Sequence, residues 1–133
     1  YMPQQSTVFN ESILFNITLS NEIEKVDFKR YEEVCSLICL DLFSNHSKDF
    51  LIKESGKNLS GGERQRLVLA RALYLRRKVL FLDESLNAVD PLLRKRILTS
   101  IIEKYPSLTI ICISHNNEDA VLFNKTIFVE RSL

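Results

Sequence analysis

At 133 residues the chain has room for one ordinary domain, or part of a larger one, and none for two. Its 18 Lys plus Arg against 17 Asp plus Glu leave a net charge of +1, which argues against a charged tail or a surface built mainly for phosphate backbones. With 45% apolar and 26% charged residues the composition is that of a folded protein, not a disordered one. The longest apolar runs, such as 79–82, fall far short of the ~18 residues of a membrane span, and no hydrophobic signal peptide opens the chain. A soluble globular segment is expected.

In chain order, Tyr1-Met2-Pro3-Gln4-Gln5 begins abruptly, as if a strand had been cut. Ser12 is a plausible N-cap for a short helix over 13–17. Asp27 caps a second, whose apolar positions Phe28, Tyr31, Val34, Cys35, Ile38 and Leu42 recur at steps of three and four. An irregular connection over 44–56 is expected, with His46 as an exposed loop residue. A third helix opens at Ser60-Gly61-Gly62, runs to about Leu75 with Leu69, Ala72 and Leu73 on its apolar face, and is closed by Arg76-Arg77-Lys78. Cations at a helix C-terminus complement its dipole, which explains this cluster without nucleic acid.

The fully apolar run 79–82 predicts a strand of a buried parallel sheet. Asp90-Pro91 then supplies a cap and an N1 proline for a helix carrying Leu93, Ile97 and Ile101 on one stripe and ending before Pro106. A strand over 108–113, a short helix near 118–123 and a strand over 126–129 complete the expected α/β order. Cys35, Cys39 and Cys112 lack metal-binding spacing and are expected as reduced, mostly buried thiols. Asn-X-Ser/Thr triplets begin at Asn10, Asn16, Asn45, Asn58 and Asn124; in a chain with reduced thiols and no signal, chance explains them better than glycosylation.

Two features carry chemistry. Asp83-Glu84 ends an apolar strand, where parallel sheets bind ligands, although a solvated acidic turn is the commoner cause of such a pair. Ser60-Gly61-Gly62 opens a helix with two residues that let an anion approach the backbone N–H groups; a plain Ser-capped helix after a glycine turn is the alternative.

The order of the motifs is more specific than either feature. Gln4 after Pro3, LSGGERQR at 59–66, VLFLDE at 79–84, Asp90 and His115 follow one another as in an ABC ATPase, and nearly the whole chain resembles the second half of an ABC-transporter nucleotide-binding domain. By this resemblance Gln4 is the Q-loop glutamine, Ser60-Gly61-Gly62 the signature, Asp83 and Glu84 the Walker B aspartate and catalytic glutamate, and His115 the switch histidine. Asn87-Ala88-Val89-Asp90 is similar to the D-loop, with Asn87 and Val89 where Ser and Leu are usual. Val8 to Ile13 and Asn16-Ile17 resemble the exporter stretch after the Q-loop. In Ile52-Lys53-Glu54-Ser55-Gly56 only Glu54 and Gly56 match the exporter segment that touches the transmembrane coupling helices.

The resemblance implies an α/β fold: part of a P-loop NTPase parallel sheet with an inserted helical signature subdomain, as a single partial domain over 1–133, helical over about 6–75 and α/β over about 76–133. It implies ATP and Mg²⁺, with Glu84, His115 and Gln4 catalytic, Ser60, Gly61, Gly62 and Asp90 at the nucleotide, and Asp83 and Gln4 at the metal. It implies as partners a transmembrane domain and a second nucleotide-binding domain in a head-to-tail dimer, on the cytoplasmic face of a membrane, and no nucleic acid. A P-loop requires Gly-x₄-Gly-Lys-Ser/Thr, and the only glycines are Gly56, Gly61 and Gly62, so a Walker A half and its strand are expected upstream. Alternatives are a soluble ABC ATPase of translation and a degenerate regulatory nucleotide-binding module. The 55 residues between Gln4 and Ser60 leave no space for the long coiled coil of the DNA-repair relatives.

Overall fold

Helix α1 (Ile13–Thr18) starts where a serine can replace a missing helical partner: Ser12 Oγ accepts a hydrogen bond from the Phe15 amide at 3.0 Å. In this computed structural model, residues 1–2, 7–40 and 48–128 are described, with the side chains of residues 117 and 118 excepted. Gln4, Leu42, Asn45, His46 and Val129 therefore lie outside the described residues.

Helix α2 (Phe28–Leu37) is capped by Asp27, and α3 (Gly61–Tyr74) by a reciprocal pair. Ser60 Oγ accepts from the Glu63 amide while the Glu63 carboxylate accepts from the Ser60 amide at 2.6 Å. Helix α4 (Pro91–Lys104) begins at Asp90, whose Oδ1 accepts from the Leu92 and Leu93 amides. Ile13, Leu14 and Ile17 of α1 and Leu67, Leu69, Ala70 and Leu73 of α3 are buried in one hydrophobic cluster that also takes in Ile97, Leu98 and Ile101 of α4.

Asn16, at the second of the Asn-X-Ser/Thr triplets, is fully buried in α1 and unavailable to a glycan. Its side-chain amide donates to the Phe9, Glu11 and Ser12 carbonyls, and its Oδ1 accepts from the Phe9 amide and from Arg71. Arg71 also donates to the carbonyls of Asn16 and Thr7, so this pair fixes α1 on α3. The three cysteines are free thiols, one buried and two half-buried.

Strands β1 (Val79–Asp83) and β2 (Thr109–Ile113) pair in parallel, with Leu80 opposite Ile110 and Leu82 opposite Cys112. Met2 bridges Leu82 on the other edge of β1. The face bearing Leu80 and Leu82 packs on the helical core. Its opposite bears Val79, Phe81, Ile111 and Ile113, where Ile111 and Ile113 are each 46% exposed and Tyr1 stacks on Phe81 at 5.5 Å. This corrects the expectation of a sheet buried on both faces: within the described residues only one face is covered.

Three smaller corrections follow from local hydrogen bonding. Leu108 stands outside β2 because its amide bonds the Tyr105 carbonyl in a turn. The expected helix near 118–123 is a 3₁₀ turn, Asn117–Leu122. Residues 126–128, expected as a strand, have no regular secondary structure. The connection over 48–56 contains a bridge from Leu51 to Ser12 and a 3₁₀ turn, Glu54–Gly56. Gly56 sits at φ +90°, and a Cβ there would come within 2.6 Å of Val8 Cγ2.

Candidate functional site

Parallel pairing brings the carboxyl ends of β1 and β2 to the same edge, so Asp83-Glu84 and Ser114-His115 emerge side by side. The Glu84 amide donates to the Ile113 carbonyl at 3.0 Å, and His115 Nε2 lies 2.7 Å from Glu84 Oε1. The His115 side chain is 85% exposed and that of Glu84 only 19%, so an open imidazole meets a sheltered carboxylate. That exposure excludes a buried structural histidine. Asn87 Nδ2 donates to the other carboxylate oxygen, Glu84 Oε2, at 3.2 Å. The Glu84 backbone has φ +47°, a left-handed conformation that costs a non-glycine residue free energy and that the surrounding bonds must hold.

Asp83 lies one residue back, on the open side of the sheet. Its Oδ2 accepts from the Tyr1 hydroxyl at 3.0 Å, and this bond to a carboxylate raises the Tyr1 pKa. The Asp83 amide donates to the Met2 carbonyl and to Ser85 Oγ. The buried Ser85 hydroxyl donates in turn to the Met2 carbonyl, locking the strand end to the residue before Pro3.

Asp83 offers hard oxygen donors, and among the described residues no group of three or more His, Cys, Asp or Glu forms a cage for a metal. A single carboxylate of this kind is what Mg²⁺ takes, together with waters and substrate phosphates. Gln4, the second expected donor, lies outside the described residues.

Ser60, Gly61 and Gly62 form the first turn of α3 and abut the loop 85–90. A Cβ on Gly62 would stand 2.7 Å from the Ala88 carbonyl oxygen, and one on Gly61 would stand 3.2 Å from Ala88 Cβ. The Ala88 amide donates to Gln65 Oε1 at 2.9 Å. The two glycines thus serve a close backbone approach as well as an exposed helix N-terminus. Ser60 Oγ accepts from Glu63, which leaves its O–H free to donate outward. Asp90, at the far end of the same loop, is spent on capping α4.

Sequence reasoning missed Ser85, Arg94 and Asp119 around this site, and it placed Asn87 in the D-loop without its bond to Glu84. Arg94 carried a usable signal, because it lies on the same face of α4 as Ile97 and Ile101, where a charge needs a buried partner. That partner is Asp119. Ser85 carried none, since its Met2 partner comes from the tertiary fold, and the Asn87 bond to Glu84 depends on a turn geometry that spacing does not reveal.

A family profile described as ABC transporter matches residues 1–87. The lactococcin-G-processing and transport ATP-binding protein LagD of Lactococcus lactis subsp. lactis is 36% identical over 138 residues, covering 100% of this chain and 19% of its own length. ABC transporter C family member 13 of Dictyostelium discoideum is 44% identical over 94 residues, 68% of this chain and 7% of that protein. A solved structure of a bacterial Atm1-family ABC exporter with ATP bound superposes with a TM-score of 0.79 at 28% identity, covering 88% of this chain and 21% of the other. The chain spans about a fifth of the length of LagD and of that exporter. Among the described residues no helix is long and apolar enough to cross a membrane.

Proposed function

Because the chain belongs to the ABC transporter family, we propose that it is the signature-bearing half of a nucleotide-binding domain that hydrolyses MgATP to drive export. The observation that carries this reading is the 2.7 Å pair of His115 and Glu84, placed directly after Asp83 at the carboxyl end of a parallel sheet. The direction of transport follows the superposed structure, which is an exporter, while LagD is named for processing and transport.

In this reading Glu84 orients and polarises the attacking water, with Asn87 and His115 fixing its two carboxylate oxygens. His115, exposed on the other side of that pair, contacts the γ-phosphate. Asp83 and Gln4 hold Mg²⁺, which when bound neutralises charge on the phosphates. Ser60, Gly61 and Gly62 present the α3 N-terminus to ATP held by a second nucleotide-binding domain, and Asp90 passes its movement along α4. The work of the chain is positioning and charge stabilisation, with little covalent chemistry.

Partners follow from the same reading: a transmembrane domain at the cytoplasmic face of the membrane, a second nucleotide-binding domain, and an upstream segment with the Walker A motif. The exposed apolar face of Val79, Phe81, Ile111 and Ile113 supports the last of these, since parallel strands of such composition are covered on both faces. With the outer edge of β2 unpaired among the described residues and no Walker A motif in its sequence, the 133-residue chain by itself is expected to self-associate and to leave ATP unhydrolysed. Light scattering and phosphate release check both. A stable monomer with cooperative unfolding, or hydrolysis by the chain alone exceeding that of its Glu84→Gln control, overturns this assignment.

A further inference from the structure

Arg94 lies one turn into α4, and its amide donates to the Asp90 carbonyl at 2.8 Å. Its guanidinium Nε is 3.2 Å from Asp119 Oδ1, with the two side chains only 8% and 9% exposed. The other Asp119 oxygen accepts from Ser114 Oγ at 3.2 Å, and Ser114 Oγ accepts from the Asn116 amide at 3.0 Å. Ser114 and Asn116 flank His115. A water-sized cavity of about 10 Å³ between Glu84, Asn87, Arg94 and Asp119 is the space between this network and the catalytic carboxylate. No element of the hydrolytic mechanism above uses either charge.

We propose that Arg94 and Asp119 are positioning residues: their buried ion pair ties the loop bearing His115 to the helix that follows Asp90, so that a movement at Asp90 changes the His115–Glu84 geometry. Stability alone is a poor reason for such a pair, because well-packed apolar residues of similar volume commonly replace a buried ion pair without loss. What apolar residues cannot supply is the directed acceptor that holds Ser114. The route is short: Asp90 to Arg94 by the first helical turn, Arg94 to Asp119 across the core, and Asp119 through Ser114 to the backbone on both sides of His115. The proposal rests on the hydrolytic role given to Glu84 and His115.

The test uses the full-length parent with three variants: Arg94→Met, Arg94→Lys, and Arg94→Met combined with Asp119→Leu. Three quantities are read: kcat and KM for MgATP, the unfolding temperature, and hydrogen exchange of the 114–119 loop. Arg94→Met is expected to lower kcat by roughly 10–100-fold, as a small misplacement does, while KM changes less than about twofold. Arg94→Lys keeps the charge and is expected to restore part of kcat. The double variant is expected to recover the unfolding temperature while kcat stays low and the loop stays fast-exchanging. Recovery of kcat together with the unfolding temperature in the double variant overturns the proposal, as does an unchanged kcat in Arg94→Met. If the wild type itself does not hydrolyse ATP, the hydrolytic reading fails. The exchange data then still decide whether the pair holds the loop: faster exchange confined to 114–119 supports it, and unchanged exchange refutes it.

Discussion

Glu84→Gln in the full-length parent is expected to lower ATP turnover by roughly 10²–10⁴-fold, the usual contribution of a positioned general base, while ATP still binds. The amide retains the shape of the carboxylate and its hydrogen bond to Asn87, and loses the charge that polarises water. Strand β1, the positive φ at residue 84 and the bond to the Ile113 carbonyl are backbone features that the substitution leaves in place. Folding is thus separated from chemistry in this variant. With hydrolysis blocked, ATP-bound protein is expected to accumulate in the closed dimer. Phosphate release measured beside nucleotide retention checks both halves, and turnover near the wild-type rate removes Glu84 from its role.

The second large effect lies in the first turn of α3. Gly61→Asp is expected to reduce hydrolysis by roughly 10²-fold or more, because a carboxylate would replace the anion-binding surface that the proposed reading sets against the γ-phosphate of the opposing site. Monomer stability is expected to change little: an acidic residue suits a helix N-terminus, and the nearest obstacle is the Ala88 methyl at 3.2 Å. Gly62→Asp is expected to do more. Its Cβ would press on the Ala88 carbonyl oxygen at 2.7 Å, a backbone atom that moves only with the whole loop 85–90. Gly62→Ala is therefore expected to lower both turnover and unfolding temperature, whereas Gly61→Ala lowers mainly turnover. Equal unfolding temperatures for the two alanine variants contradict the packing assigned to Gly62.

The helix starts were legible because a cap is a local device. Ser12, Asp27, Ser60 and Asp90 each satisfy amides within three residues, so the sequence neighbourhood contains both donor and acceptor. The apolar run of β1 and its acidic end were legible for the same reason. What covers a strand is not local, and the face of Val79, Phe81, Ile111 and Ile113 was expected to be buried on composition alone. The pairing around Glu84 was hidden too, although the place of Arg94 on the buried face of α4 signalled that it needs a partner. Arg94 and Asp119 stand 25 positions apart, and only the fold makes them partners. The end of the chain was misjudged on propensity, where 126–128 has strand-forming residues and no ladder in the structure.

Whether this chain supplies the residues that turn over ATP is decided by steady-state phosphate release from the intact parent, with bound nucleotide measured on the same sample. The wild type is expected to show saturable, Mg²⁺-dependent release, and Glu84→Gln to retain nucleotide with release lost. ATP held by the wild type with no phosphate released would contradict it and mark a regulatory nucleotide-binding module instead.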